Sequence, residues 1–141
     1  MNEEILNKIT SQRPTNFRII EQDGKEIYVY CALDVLLYAV LTCHNITIET
    51  ILSGKNIRFK LDTNSELILS FINLRDAEKL PPSHNTPSNI CPYLRFFANL
   101  EEFEDWRNTL PEEIRHLVIP KSVKEVLSII KRYVISSLDD G

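Results

Sequence analysis

The apolar positions alternate between two periods along the chain. In residues 2–10, Ile5, Leu6 and Ile9 share one stripe of a short amphipathic helix. Phe17–Gln22 and Lys25–Cys31 flank Asp23-Gly24, the dipeptide suited to the positive φ of a tight hairpin turn. Ile27, Val29 and Cys31 then point one way and Tyr28 and Tyr30 the other, so Cys31 either ends this strand or opens the next element. Ala32–Thr42 is apolar on every side, the pattern of an interior helix. Ile46–Ile51 reads as a strand, as does Asn56–Asp62, with Ile57, Phe59 and Leu61 inward and Arg58 and Lys60 outward. Asp62–Ser65 turns the chain into a strand over Glu66–Ile72. Residues 74–90 have no periodicity and are expected to form a lid, with Leu80–Asn89 as its polar, proline-rich part. A strand is predicted at Tyr93–Phe97, with Cys91 held extended by Pro92. Asn99 and Glu102 form a capping box for a helix with Leu100, Phe103, Trp106 and Leu110 as its apolar stripe. A short strand at Leu117–Ile119 stops before Pro120. Ser122 and Glu125 open a last helix whose inner face holds Val123, Val126, Leu127, Ile130 and Val134.

This order predicts an α+β fold with mostly antiparallel pairing, one buried helix and flanking helices. The 141 residues suit a single domain spanning 1–141, with a helix and the first hairpin strand in 1–25. Apolar residues at 43% and charged residues at 26% are ordinary for a folded chain. Sixteen basic against twenty acidic side chains leave a formal charge of −4. That balance argues against nucleic acid as a partner, which wants a basic face. Three glycines cannot build a phosphate-cradling loop, so nucleotide cofactors are not expected. The N-terminus shows no secretory pattern, and Ala32–Leu41, the longest apolar run, is too short to cross a membrane and carries Asp34. A cytoplasmic, non-membrane protein with reduced thiols is the expectation. The three cysteines contain no C-x-x-C pair, against both a disulfide framework and a structural zinc site.

Candidate chemistry centres on Cys31, Asp34 and Cys91. Asp34 is the one ionisable side chain of the apolar helix, and an ionised carboxylate is costly to bury without a partner. Cys31, at i and i+3 with Asp34, shares its helix face; the positive end of the helix would favour a thiolate there. Asp34 beside it would have its pKa raised. The plain alternative is a buried cysteine acting as a small hydrophobe, beside a carboxylate bonded to backbone amides or a tyrosine hydroxyl. Cys91 lies at the seam between the long loop and a core strand, positioned yet reachable from solvent. Cys43-His44 is an incidental pair, His84 and His116 are solvated, and Phe96, Phe97 and Trp106 are core residues in this reading.

Cys31-Ala-Leu-Asp34 opening an apolar helix resembles the alkylmercury (organomercurial) lyase family. So do Leu69-Ser-Phe-Ile72, Cys91 ahead of Phe96-Phe97-Ala98-Asn99, and Glu101-x-x-x-Asp105-Trp106, in the family's order over residues 26–135. The resemblance implies a carbon–mercury lyase in which Cys31 and Cys91 bind the mercury of an organomercurial and Asp34 delivers a proton to carbon. Mercury is a soft acid that thiolates suit, and two thiolates push electron density onto the bound carbon, which a nearby acid then protonates. Leu36, Leu37 and Ile72 are expected as aliphatic walls. No resident cofactor is implied, since mercury enters as substrate and leaves as product. The implied partners are an organomercurial small molecule and low-molecular-weight thiols or a mercury-accepting protein that take Hg(II). The alternative from another class is a soft-metal (Hg or Cu) binding or transfer protein without lyase turnover. Two departures stand out. Family members carry a helical domain before the Cys-Ala-Leu-Asp segment, where thirty residues precede it here, and Thr50 replaces a further cysteine found before the glycine matching Gly54. A shorter N-terminus would leave an apolar patch suited to a dimer, the oligomeric state being otherwise open.

Overall fold

The computed structural model describes residues 2–42, 45–52, 55–61, 66–72, 74–81 and 90–139. Cys43, His44, the 62–65 turn and His84 with most of the long loop lie outside the described residues, as does the side chain of Val134.

Helix α1 (Asn2–Ile9) leads into β1 (Thr10–Ser11), and β2 (Phe17–Glu21) and β3 (Glu26–Val29) form the hairpin around Asp23-Gly24. Gly24 takes φ +91°, a conformation that a side chain would strain, and the Asp23 carboxylate accepts the Lys25 N–H to close the turn. Helix α2 (Ala32–Thr42) follows, then β4 (Ile46–Leu52) and β5 (Lys55–Leu61). Among the described residues these strands form a five-stranded sheet in the order β1-β3-β2-β4-β5, all antiparallel, with Ile19 opposite Ile27 on one side and Ile48 on the other. The first core lies on this sheet. It gathers Ile19, Val29, Ile48 and Leu61 with Val35, Leu36 and Tyr38 of α2 and Val123, Val126 and Ile130 of α5 (Val123–Asp139).

The second sheet places β6 (Ile68–Ile72) between β7 (Phe96–Phe97) and β8 (Val118–Ser122), again antiparallel. Helices α3 (Leu100–Arg107) and α4 (Glu112–Arg115) close its far side. Phe97, Phe103 and Trp106 pack ring to ring there, with centroids 5.1 to 6.2 Å apart. The second core joins Ile72, Leu94, Phe97, Phe103 and Val118 to Cys31 and Cys91.

The α+β architecture with antiparallel pairing matches the expectation; four local features do not. The segment after the long loop is not a strand from Tyr93: Cys91–Tyr93 is a 3₁₀ turn, closed by Tyr93 N–H to Ile90 O and Leu94 N–H to Cys91 O, and only Phe96–Phe97 pairs. Cys91 is therefore helical rather than extended, the closure of the turn outweighing the preference of a residue before proline. Leu74–Lys79, expected to be irregular, is also 3₁₀. Strand β8 runs through Pro120 instead of stopping before it. Pro120 faces Ser70, whose N–H is directed to Arg95 O on the opposite side, so at this edge position a proline N–H is not needed. Finally, Leu100 is 49% exposed: the apolar stripe of α3 starts at Phe103, because the three packed rings already close that side of the core. The capping box itself forms, Asn99 Oδ1 accepting Glu102 N–H at 2.9 Å, while the Glu102 carboxylate takes the N–H of Ala98, one residue earlier than in the standard box.

Candidate active site

Cys31 is not the end of strand β3 but the N-cap of α2: Val35 N–H donates to Cys31 O, the first turn of the helix. Asp34 is then the third helical residue, where a carboxylate can reach back to N–H groups that the helix leaves unpaired. It does so, accepting from the backbone N–H of Tyr30 at 3.3 Å and from that of Cys31. The local sequence thus places thiol and carboxyl group at one helix start, and hydrogen bonding holds the carboxyl there.

Cys91 arrives from far along the chain, and three contacts fix it. Ala32 N–H donates to Leu94 O at 3.1 Å, stitching the start of α2 to the segment after Cys91. Ser70, fully buried in β6, accepts the Arg95 N–H at 2.8 Å and donates its hydroxyl to Tyr93 O. Ser70 N–H in turn reaches Arg95 O at 3.0 Å. Two backbone latches and one buried hydroxyl therefore clamp the 3₁₀ turn against both the sheet and the helix.

The result is a convergence. One Sγ of Cys31, one Sγ of Cys91 and a carboxylate oxygen of Asp34 all lie within 4.8 Å of one another. Neither cysteine is in a disulfide, and they are 1% and 7% exposed. Two sulfurs at that separation can both reach one soft metal ion without backbone movement. Cys43, His44 and His84 lie outside the described residues, and His116 is exposed at the end of α4.

Electrostatics at this cluster differ from the sequence expectation in one respect. Burial pushes the Cys31 thiol well above its ordinary value, and the hydrogen bond with Cys91 and the charge of Asp34 add to the rise; only the Asp34 backbone N–H opposes it. This rise runs against the thiolate expected from the positive end of α2. Asp34 moves as expected: burial raises it to about 6, against the lowering effect of hydrogen bonds from Tyr30 and Cys31. A carboxylate of that basicity beside buried thiols is suited to accept a thiol proton and give it up again.

A cavity of about 600 Å³ opens beside the cluster. Pro14–Phe17, Tyr30, Thr50, Ile51, Cys91, Pro92, Leu94 and Arg95 line it. Cys91 therefore faces the cavity despite its burial, and its sulfur lies within 4.8 Å of Cys31 Sγ and an Asp34 carboxylate oxygen, neither residue itself lining the cavity. None of the aliphatic walls expected from sequence lines this cavity: Ile72 shares the second core with both cysteines, whereas Leu36 and Leu37 pack into the first. Thr50, Tyr30, Phe17, Ser70 and Arg95 were missed as members of the site. A serine inside the apolar run Leu69–Ile72 is the one sequence signal that could have drawn attention to Ser70. The cavity wall itself is assembled from four separate segments.

Two thiols and a carboxyl group at the end of such a cavity, on a two-sheet α+β scaffold, define a protein with the donor set of a soft-metal site. The comparisons agree with that class. The sequence pattern of alkylmercury lyase matches residues 10–134, starting earlier than the resemblance seen in the motifs. This chain belongs to the alkylmercury lyase family. An alkylmercury lyase of Staphylococcus epidermidis is 28% identical over 106 residues, which are 70% of this chain and 47% of that protein. The chain thus spans about half the length of the curated relative it matches. The crystal structure of the mercury-bound form of MerB2 shares the fold, with a TM-score of 0.62 and 15% identity over 89% of this chain and 60% of that one. Among the described residues, no helix is long and apolar enough to cross a membrane.

Proposed function

We propose that this protein cleaves carbon–mercury bonds by protonolysis, with Cys31 and Cys91 as the mercury ligands and Asp34 as the proton carrier. The observation that supports this reading is the meeting of two sulfurs and a carboxylate oxygen within 4.8 Å, from segments sixty residues apart in the chain. Cys91, facing the cavity, exchanges first with the incoming organomercurial. Asp34 accepts the thiol proton of Cys31, whose thiolate then becomes the second sulfur on mercury. Two thiolates raise the electron density on the bound carbon, and Asp34 returns the proton to it. The carbon–mercury bond breaks, hydrocarbon leaves, and Hg(II) stays on the two sulfurs until small thiols or an accepting protein take it. The protein needs no resident cofactor for this chemistry, mercury being substrate and product.

The test is release of benzene from phenylmercury. Cys31→Ser, Cys91→Ser and Asp34→Ala should each abolish it, and full activity in Cys91→Ser would refute a two-thiolate mechanism. One observation favours a second reading: Asp34 already has a structural task, accepting two N–H groups at the helix start. A soft-metal binding or transfer protein would need no more of it than that. Asp34→Asn separates the two, since it should end protonolysis while leaving Hg(II) affinity nearly intact.

A further inference from the structure

Arg95 is the one charged side chain among the residues that line the cavity. It stands four positions after Cys91, and its backbone is locked on both sides by Ser70. The side chain is exposed, and its guanidinium lies over the ring of Trp106, 5.9 Å from the centroid. Stacking of that kind restrains the plane of the guanidinium and leaves its N–H edges available to a planar acceptor. Among the described residues no ion pair with a carboxylate is formed by it, and Glu49, next to the lining residue Thr50, holds both Arg18 and Arg58. The sequence agrees, because Leu80–Leu100 contains no aspartate or glutamate at all. In a chain of net charge −4, Arg95 thus brings a fork-shaped cationic donor, without a carboxylate partner among the described residues, to the cavity that Cys91 lines.

Soft-metal chemistry says what arrives there. Where thiols are abundant, an organomercury cation exists as a mixed thiolate, R–Hg–SR′, not as the free ion. Cys91 captures it by exchange: the Cys91 thiolate forms a sulfur–mercury bond, the mercury–SR′ bond breaks, and R′S⁻ departs. The organic group R must end beside Asp34 for that residue to protonate it, which leaves SR′ to the cavity that Cys91 and Arg95 both line. Building on the lyase reading, we propose that Arg95 recognises a carboxylate on the carrier thiol, so that the preferred substrates are organomercury adducts of small carboxylate-bearing thiols.

The experiment compares phenylmercury presented as its mercaptoacetate adduct and as its neutral 2-mercaptoethanol adduct. In the wild-type protein kcat/KM for benzene release should favour mercaptoacetate by roughly three- to tenfold, as an exposed charge-assisted pair allows, and added salt should shrink the ratio. Arg95→Gln should bring the ratio to about one, and Arg95→Lys should keep part of it. Equal rates for the two adducts in the wild type, or an undiminished ratio in Arg95→Gln, would overturn the proposal. A third substrate, 4-carboxyphenylmercury on 2-mercaptoethanol, places the carboxylate on the arene instead. If the Arg95→Gln penalty follows that carboxylate rather than mercaptoacetate, Arg95 reads the organic group and the carrier assignment is wrong. If no adduct releases hydrocarbon, the lyase reading fails on its own. The rate of phenylmercury transfer onto the protein, followed by mass, then shows whether the carrier preference exists.

Discussion

The two cores of this molecule are built on opposite principles. The first, between the five-stranded sheet and helices α1, α2 and α5, is filled with Ile, Val and Leu from regular elements. The second, beside the three-stranded sheet, contains two thiols, a buried serine directed at backbone, and a 3₁₀ turn where a strand was expected. The first can be exchanged in detail for other close-packed apolar groups at a cost in stability alone. The second cannot, because its polar atoms are satisfied by specific partners, and losing a partner strands the other buried group. Helix α2 belongs to both: Val35 and Leu36 anchor it in the first core, while its N-cap Cys31 and Asp34 face the second. Packing of the residues that directly follow Asp34 holds the reactive groups at the start of the helix.

The sharpest break between the two regions should come from the sulfurs. Cys31→Ser or Cys91→Ser should remove hydrocarbon release altogether, measured as benzene formation per folded molecule with a melting curve on the same sample to count what is folded. Leu36→Ala should do the reverse. Removing a fully buried side chain from the first core should cost about 2–5 kcal/mol in denaturant unfolding, with turnover per folded molecule largely kept.

Asp34 lies at the junction and should show both behaviours. Asp34→Asn should lower turnover by about 10²–10⁴. Its effect on stability follows from linkage. The folded carboxyl titrates at about 6 and the ordinary value is 3.8, so the folded state binds the proton more tightly. The favourable contribution of the protonated carboxyl is fully present below about pH 4, falls as pH rises towards 6, and is gone above it. The difference in unfolding free energy between Asp34→Asn and wild type should therefore grow in favour of the variant between pH 4 and pH 7, by on the order of 2 kcal/mol. A flat difference across that range would mean that Asp34 is not desolvated.

Smaller effects refine the contrast. Ser70→Ala should cost about 1–3 kcal/mol, since Arg95 N–H and Tyr93 O lose their shared hydroxyl. It should also weaken Hg(II) binding, read from the ultraviolet thiolate–mercury absorption, because the turn bearing Cys91 loses its clamp. Leu100→Ala, on the exposed first turn of α3, should change stability by less than about 0.5 kcal/mol and leave metal binding untouched.

Legibility divides along the same line. The hairpin at Asp23-Gly24, the alternation in β5, the interior helix and the Asn99 cap are local patterns, each fixed by residues within a turn or two of one another. The nearness of Cys31 and Asp34 was legible for the same reason, three positions on one helix. Cys91 could be singled out by its place between the long loop and a core strand, but its meeting with Cys31 followed only from the family resemblance, because nothing in Leu80–Phe97 says where that segment packs. Its place in the fold is held by bonds to Ser70 and Ala32, which lie outside the segment. The misplaced walls have a related cause: Leu36 and Leu37 are apolar in either core, and composition does not say which core a helix face meets.

By itself, then, the sequence determined the elements, the antiparallel α+β class and the pairing of a thiol with an acid at a helix start, since short-range sterics and hydrogen bonding set all three. Tertiary structure alone decided that a second sulfur joins them, that burial raises the Cys31 thiol, and that an arginine lines the cavity beside Cys91. Those facts depend on contacts between residues far apart in the chain and on the solvent that packing excludes. Neither quantity is carried by any single segment.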